Sequence, residues 1–181
     1  VLIVGAGNTG RQLARELASS HQVTLAAGTP QRELPQRLLG IDIFTWMTAT
    51  GVLRIPARSP IGRLLSRQEV VIGESLEELR TLGVRIVPRL VDAAESTFHF
   101  EDGTSLDAQS VIWATGYLPG FDWLPDQARN PSGDIVQTRG STPVPGLYVL
   151  GLPWMHTRGS ALLSGVGRDA ARIAQLIGRR P

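Results

Sequence analysis

One stretch constrains the fold more than any other: Val1-Leu2-Ile3-Val4-Gly5-Ala6-Gly7-Asn8-Thr9-Gly10. A short apolar run that stops at glycine reads as a buried parallel strand. A helix is expected from about Thr9 to Ser19, because Leu13 and Leu17 lie one turn apart on one face. Val23 to Ala26 reads as a second strand, which completes a βαβ unit. Within that unit the glycines have the spacing GxGxxG at the strand-to-helix turn. Gly5 allows the tight turn, Gly7 lets the backbone approach a pyrophosphate, and Gly10 lets helix and strand pack closely. The N–H groups at Asn8 and Thr9, reinforced by the helix dipole, favour phosphate charge. The motif therefore points to a bound dinucleotide. The bland alternative, glycines that only make a turn, is weakened by the strand before and the helix after.

The fold class that follows is α/β, with a Rossmann-like NAD(P)-binding domain. A site for NAD usually carries Asp or Glu at the end of the second strand, bonded to the ribose 2′-OH. Here that place reads Ala26-Ala27-Gly28-Thr29, and the first acid is Glu33. Arg32 and Arg37 follow in the same loop, and a guanidinium suits a 2′-phosphate. NADP(H) is expected over NAD(H), with Thr29, Arg32 and Arg37 as candidate contacts. Solvated loop charge is the competing reading, and it fits Arg37 better than Arg32.

Further along, residues 28–40 read as a loop and residues 41–50 as a helix with Ile41, Phe44, Met47 and Thr48 on one side. Residues 54–73 contain Pro56, Pro60, Gly62 and Gly73 and read as irregular. Ser75-Leu76-Glu77-Glu78 is a capping box, and Gly83 fits the stop of the short helix it opens. A β-rich meander is expected over 84–115: Val84–Val87, Leu90–Ala93, Thr97–Phe100 and Val111–Ala114, with Asp102-Gly103 as a hairpin turn. Residues 118–145 are turn-rich. Leu147–Leu150 reads as another strand, and Ser160–Ile177 as a final helix with the stripe Leu162, Val166, Ala170, Ile173 and Ile177. Gly165 to Ala170 mimics GxGxxA, but no strand directly precedes it and it is expected mid-helix, so it is not a second dinucleotide site.

Composition excludes several classes. With 181 residues, 42% hydrophobic and 19% charged, the chain can bury a core. The net charge of +2 is small, and the 18 basic residues, all arginine, are dispersed, so no nucleic-acid face is expected. Cysteine is absent, which removes disulfides and thiolate metal sites. No metal site is expected. No apolar run approaches a membrane span and no signal peptide opens the chain, so a cytoplasmic location is expected. Because Val1 falls inside a strand, a segment upstream is also expected.

Ile112-Trp113-Ala114-Thr115-Gly116-Tyr117 ends a strand at glycine. VIWATGY, coming well after a GxGxxG, resembles the ATG linker of flavin-containing and Baeyer–Villiger monooxygenases. GTPQRELPQRLLGIDIFTWM resembles that family's loop after the second strand, and PVPGLYVLGLPWMHTRGSALLSGVGRDAARIA its closing FAD segment. Small bacterial flavoproteins labelled as involved in potassium transport are the most similar group. The resemblance implies an NADPH-binding domain over 1–115 and the C-terminal part of an FAD-binding Rossmann-like domain over 116–181, with NADP(H) and FAD as cofactors. It places Thr115 and Gly116 at the linker, and Gly151, Arg158, Gly159 and Ser160 near the flavin, with Arg158-Gly159-Ser160 opening a helix. The family's first GxGxxG and its FxGxxxH fingerprint are not found, so the chain reads as the later part of such a flavoprotein. His156 is expected to be structural. No side chain stands out as a catalytic residue, the small-molecule substrate is unnamed, and a homodimer is left open. The rival reading is a non-enzymatic Rossmann nucleotide-sensing module linked to potassium transport, although ATGY and the closing segment are foreign to such modules.

Overall fold

The apolar tetrapeptide at the start of the chain becomes an inner strand of a parallel sheet. The structure is a computed structural model that describes residues 1–67 and 70–178. Its elements in chain order are β1 (Leu2–Val4), α1 (Asn8–Ala18), β2 (Thr24–Ala26), β3 (Arg32–Leu34), β4 (Arg37–Leu38), β5 (Ile41–Asp42), α2 (Ile43–Ala49), α3 (Pro60–Ser66), β6 (Val70–Ile72) and α4 (Leu76–Thr81). There follow β7 (Arg85–Val87), β8 (Leu90–Ala94), β9 (Thr97–Phe100), β10 (Ser105–Asp107), β11 (Val111–Trp113) and α5 (Val166–Gly178). The chain divides into two compact units, Val1–Ile43 with Glu69–Tyr117 and Phe44–Gln68 with Leu118–Pro181. Thr115–Tyr117 thus lie with the first unit, and the segment that starts at Phe44 groups with the second.

In the first unit the sheet order is β11-β1-β2-β7, with every neighbour parallel. Successive side chains point to opposite faces. Ile3 and Leu25 therefore point one way, into a cluster with Ala14 of α1, Leu79 of α4, Val23 and Val84. Leu2, Val4 and Ala26 point the other way, into a cluster with Val87, Phe98 and Phe100 beneath the antiparallel meander β8-β9-β10. A strand covered on both faces has no polar side, which is why β1 is an unbroken apolar run. Leu2, Ile3, Leu25 and Leu79 are fully buried, each contributing roughly 1.5–3 kcal/mol. The fold class is the α/β, Rossmann-type arrangement read from the sequence.

The loop expected over 28–40 contains β3, whose residues pair in parallel with β6, Arg32 opposite Val70 and Leu34 opposite Ile72. It also contains β4, paired with β5. The region 54–73, expected to be irregular, holds α3 as well as β6. Ser59 caps α3 by accepting from the Gly62 N–H at 2.9 Å, with Pro60 in the first helical position. On α2 the buried residues are Ile43 and Met47, while Ile41 and Thr48 are exposed.

In the second unit Leu147–Leu150 does not form a strand: Tyr148 makes a single bridge to Ser141, and no neighbouring ladder continues it. The last helix begins at Val166, not Ser160. Before it, residues 157–165 turn through three-residue hydrogen bonds, Ser160 to Thr157, Leu162 to Gly159 and Gly165 to Leu162. Gly165 lies against Gly159 so closely that a methyl group on it would overlap the Gly159 carbonyl oxygen. The GxGxxA-like run thus sits at the start of α5 and not in its middle. Ile173 is buried as expected, whereas Ile177 is 54% exposed.

The capping box forms as read. The Ser75 hydroxyl accepts from the Glu78 N–H at 3.1 Å, and the Glu78 carboxylate accepts from the Ser75 N–H at 2.7 Å. The Ser75 N–H, and after it the Ser75 hydroxyl, which also donates to the Glu78 carboxylate at 3.0 Å, hold that carboxyl below its ordinary value. The stabilisation is therefore present above the ordinary glutamate range and is lost as pH falls through the lowered value. Ser75→Ala should cost about 1 kcal/mol, measured as a lower urea midpoint at neutral pH, and the gap should shrink in acid. An unchanged midpoint at neutral pH would show the box to be energetically idle.

Candidate nucleotide-binding site

Gly5 adopts φ +108°, and a methyl group there would overlap the Ala114 carbonyl oxygen. A methyl group on Gly10 would overlap the carbonyl oxygen of Gly5. These two glycines bring β1, the first turn of α1 and the end of β11 into backbone contact. Gly7 behaves differently. It is the N-cap of α1, with extended backbone and no side-chain cap, and a methyl group on it would meet nothing within 4 Å. The first turn of α1 contains no acid. An open approach to an uncapped helix N-terminus is what a pyrophosphate requires. Thr9 is exposed at the same turn. The Asn8 side chain is engaged elsewhere, accepting from the Ile72 N–H at 2.8 Å and tying α1 to β6.

Beside this turn lies a cavity of about 390 Å³. Its walls are Ala6 and Arg11, the segment Ala27–Gln31 with Glu33, Leu76 and Arg80 of α4, and Ile86–Pro88. Arg11 is 3% exposed. Its Nε donates to the Ala6 carbonyl at 2.8 Å, and its Nη1 donates to the Glu33 carboxylate at 2.5 Å and the Glu74 carbonyl at 3.1 Å. Glu33 also accepts from the Leu76 N–H at 3.4 Å. The first acid after β2 is thereby committed to a buried cation. Thr29 lies on the cavity wall, and its hydroxyl accepts from Arg89 at 2.8 Å. Arg32 on β3 and Arg37 on β4 are exposed, and neither lines the cavity.

Thr115 and Gly116 follow β11 and are exposed. In the second unit Gly151 is exposed and the Arg158 guanidinium lies 5.6 Å from the centre of the Trp154 ring. Gly159 is buried, and its N–H donates to the Leu53 carbonyl at 2.9 Å. Ser160 is fully buried, with its hydroxyl accepting from the N–H groups of His156 at 3.2 Å and Thr157 at 2.9 Å. Arg158-Gly159-Ser160 therefore does not open a helix, and the Ser160 side chain is spent on its own turn. The His156 ring lies 3.1 Å from the buried Asp169 carboxylate.

The structure thus brings Gly5, Gly7, Asn8, Thr9, Gly10 and Thr29 to one edge of the first unit, and places Gly151, Arg158, Gly159 and Ser160 in the second. Sequence reasoning missed Arg11 and Arg89. The signal for Arg89 was its place just past a strand that runs parallel to β2, which puts the two strand ends together.

A parallel α/β unit with a glycine-rich strand-to-helix turn and an adjoining cavity is the Rossmann-type arrangement. No protein-family model matches the chain. Over 173 residues it is 38% identical to an uncharacterized CzcO-like oxidoreductase of Geobacillus kaustophilus, an alignment that takes in 94% of this chain and 50% of the relative. The match to the uncharacterized oxidoreductase CzcO of Bacillus subtilis is 35% over 178 residues, 97% of this chain and 52% of the relative. A probable indole-3-pyruvate monooxygenase of Arabidopsis thaliana, YUCCA9, is 24% identical over 98% of this chain and 49% of its own length. Among solved structures, a mutant of the flavin monooxygenase from Stenotrophomonas maltophilia superposes with a TM-score of 0.65 at 25% identity, over 98% of this chain and 50% of that one. Its homologues are thus CzcO-like oxidoreductases and flavin monooxygenases, each matched over nearly the whole of this chain. It spans about half the length of the curated relatives it matches. Among the described residues no helix is long and apolar enough to cross a membrane.

Two substitutions test the architecture of the site. Glu33→Gln leaves Arg11 buried without its counter-charge and should cost about 1–3 kcal/mol, read from chemical denaturation. A cost near zero would mean that Arg11 finds another anion or water. Gly10→Ala should abolish folding of the first unit, seen as loss of dispersed amide resonances from residues 1–43 and 70–117.

Proposed function

We propose that this chain is the NADPH-binding portion of a flavin-dependent oxidoreductase of monooxygenase type, with the first unit holding NADPH and the second contributing to an FAD site. The observation that carries the reading is the open space at Gly7, over the uncapped N-terminus of α1 and next to a cavity whose one nearby acid after β2 is tied to Arg11. Pyrophosphate would lie on the N–H groups at Gly7 to Thr9. The adenosine end would enter the cavity past Ala27–Gln31, where no free carboxylate competes for the ribose 2′ position. An anion there meets no repulsion, so a 2′-phosphate is tolerated where NAD sites reject it.

On the second unit, Gly151 and Arg158 are the residues accessible to a flavin. Arg158, held over Trp154, would add positive charge where electron density accumulates on reduction. FAD, when bound, supplies the hydride-accepting and oxygen-reactive chemistry. The chain's own contribution is to bind, orient and shield. The relatives are named as oxidoreductases and monooxygenases, which supports an enzyme over a regulatory module.

Calorimetry on the full chain should show NADPH binding more tightly than NADH. Gly7→Ala should retain the thermal midpoint, since its methyl meets open space, while weakening NADPH binding by about tenfold or more. Equal affinity for the two nucleotides would refute the NADPH assignment. A Gly7→Ala chain that loses stability but keeps its affinity would refute the pyrophosphate placement.

A further inference from the structure

We propose that Arg89, and not Arg32 or Arg37, is the residue that recognises the 2′-phosphate and makes this site select NADP(H). The proposal rests on the reading of the cavity as a dinucleotide site and adds the specificity determinant to it.

Strand β7 runs parallel to β2 in the register Ala26 opposite Val87, so the two chains leave the sheet side by side. The Ala27 N–H donates to the Val87 carbonyl at 2.8 Å, which keeps the segments together one residue beyond the ladder. Pro88 then stiffens the backbone, and the Arg89 carbonyl accepts from the Glu101 N–H at 2.9 Å. The result is an arginine presented from a fixed platform towards the loop after β2.

Gly28, in the stretch where an NAD site would carry its acid, has no side chain. The Arg89 guanidinium fills the vacated space, its Cζ 3.3 Å from where a Gly28 methyl would stand. Its Nη2 donates to the Thr29 hydroxyl at 2.8 Å. Among the described residues, no carboxylate pairs with Arg89. The other nearby cations are committed: Arg11 to Glu33, and Arg80 to Glu77 at 2.9 Å. Arg32, Arg37 and Arg89 are all exposed and none is part of the cavity wall itself, but Arg89 is the one that touches two wall residues, Gly28 and Thr29. A planar guanidinium with free donors beside a hydroxyl is a matched receptor for a phosphate dianion.

The test measures dissociation constants of NADPH and NADH for the full chain and for Arg89→Gln, Arg89→Lys and Arg32→Gln. Arg89→Gln should lower the NADPH-over-NADH preference by about tenfold to a hundredfold. Arg89→Lys should restore part of it, and Arg32→Gln should leave most of it. If Arg32→Gln removes the preference and Arg89→Gln does not, the proposal is wrong while the nucleotide site stands. If Arg89→Gln weakens both nucleotides equally, Arg89 only supports the loop and the proposal again falls. If the unaltered chain shows no preference for NADPH, the cofactor assignment itself fails and takes this inference with it.

Discussion

The first unit depends on a contact between backbones. Helix α1 can start where it does because Gly10 lies against the Gly5 carbonyl and Gly5 lies against Ala114, with no side chains between them. That proximity sets how deep the helix sits on the sheet, and so which residues of α1 reach Ile3 and Leu25. It also aims the positive end of the helix dipole across Gly7. Two glycines make the contact, and the third leaves the space in front of it open.

The same closeness explains the buried charge. Arg11 follows Gly10 at once, so its side chain starts at the tightest point of the crossing and has little room to reach water. It is satisfied by the Ala6 carbonyl, the Glu74 carbonyl and the Glu33 carboxylate. One ion pair therefore clamps α1 to the segment after β2 and keeps that segment's acid away from the cavity. A feature needed for packing also tunes the electrostatics of the binding edge.

The strands of the sheet and two of the meander's three, β8 and β9, were legible in the sequence because their signals are local: an apolar run, a glycine spacing, a capping box, an Asp-Gly turn. The third, β10, was not, and β7 and β11 pair in the parallel sheet and not in the meander. What was not legible depends on partners far away in the chain. Arg32–Leu34 carries no strand pattern of its own and becomes a strand only by pairing with Val70–Ile72. Leu147–Leu150 has the opposite fault, a good strand pattern with only an isolated bridge at Tyr148. The late start of the last helix comes from the close approach of Gly159 and Gly165, which periodicity does not report. The site divides in the same way. Gly5, Gly7 and Gly10 could be assigned from spacing, whereas Arg89 could be found only once β7 was known to lie beside β2.

The position of β1 also bears on how the chain is made. Its two neighbours come from opposite ends of the unit's sequence: Leu2 faces Thr24 on one side and Val111 on the other. During synthesis from the N-terminus, β2 is on hand early, but β1 keeps one unpaired edge until β11 has left the ribosome. Both of its faces are apolar, and a bare apolar edge invites pairing with other chains. The strand that first identifies the fold is thus among the last to be fully enclosed, and the nascent protein spends most of the unit's translation time dependent on whatever shields that edge.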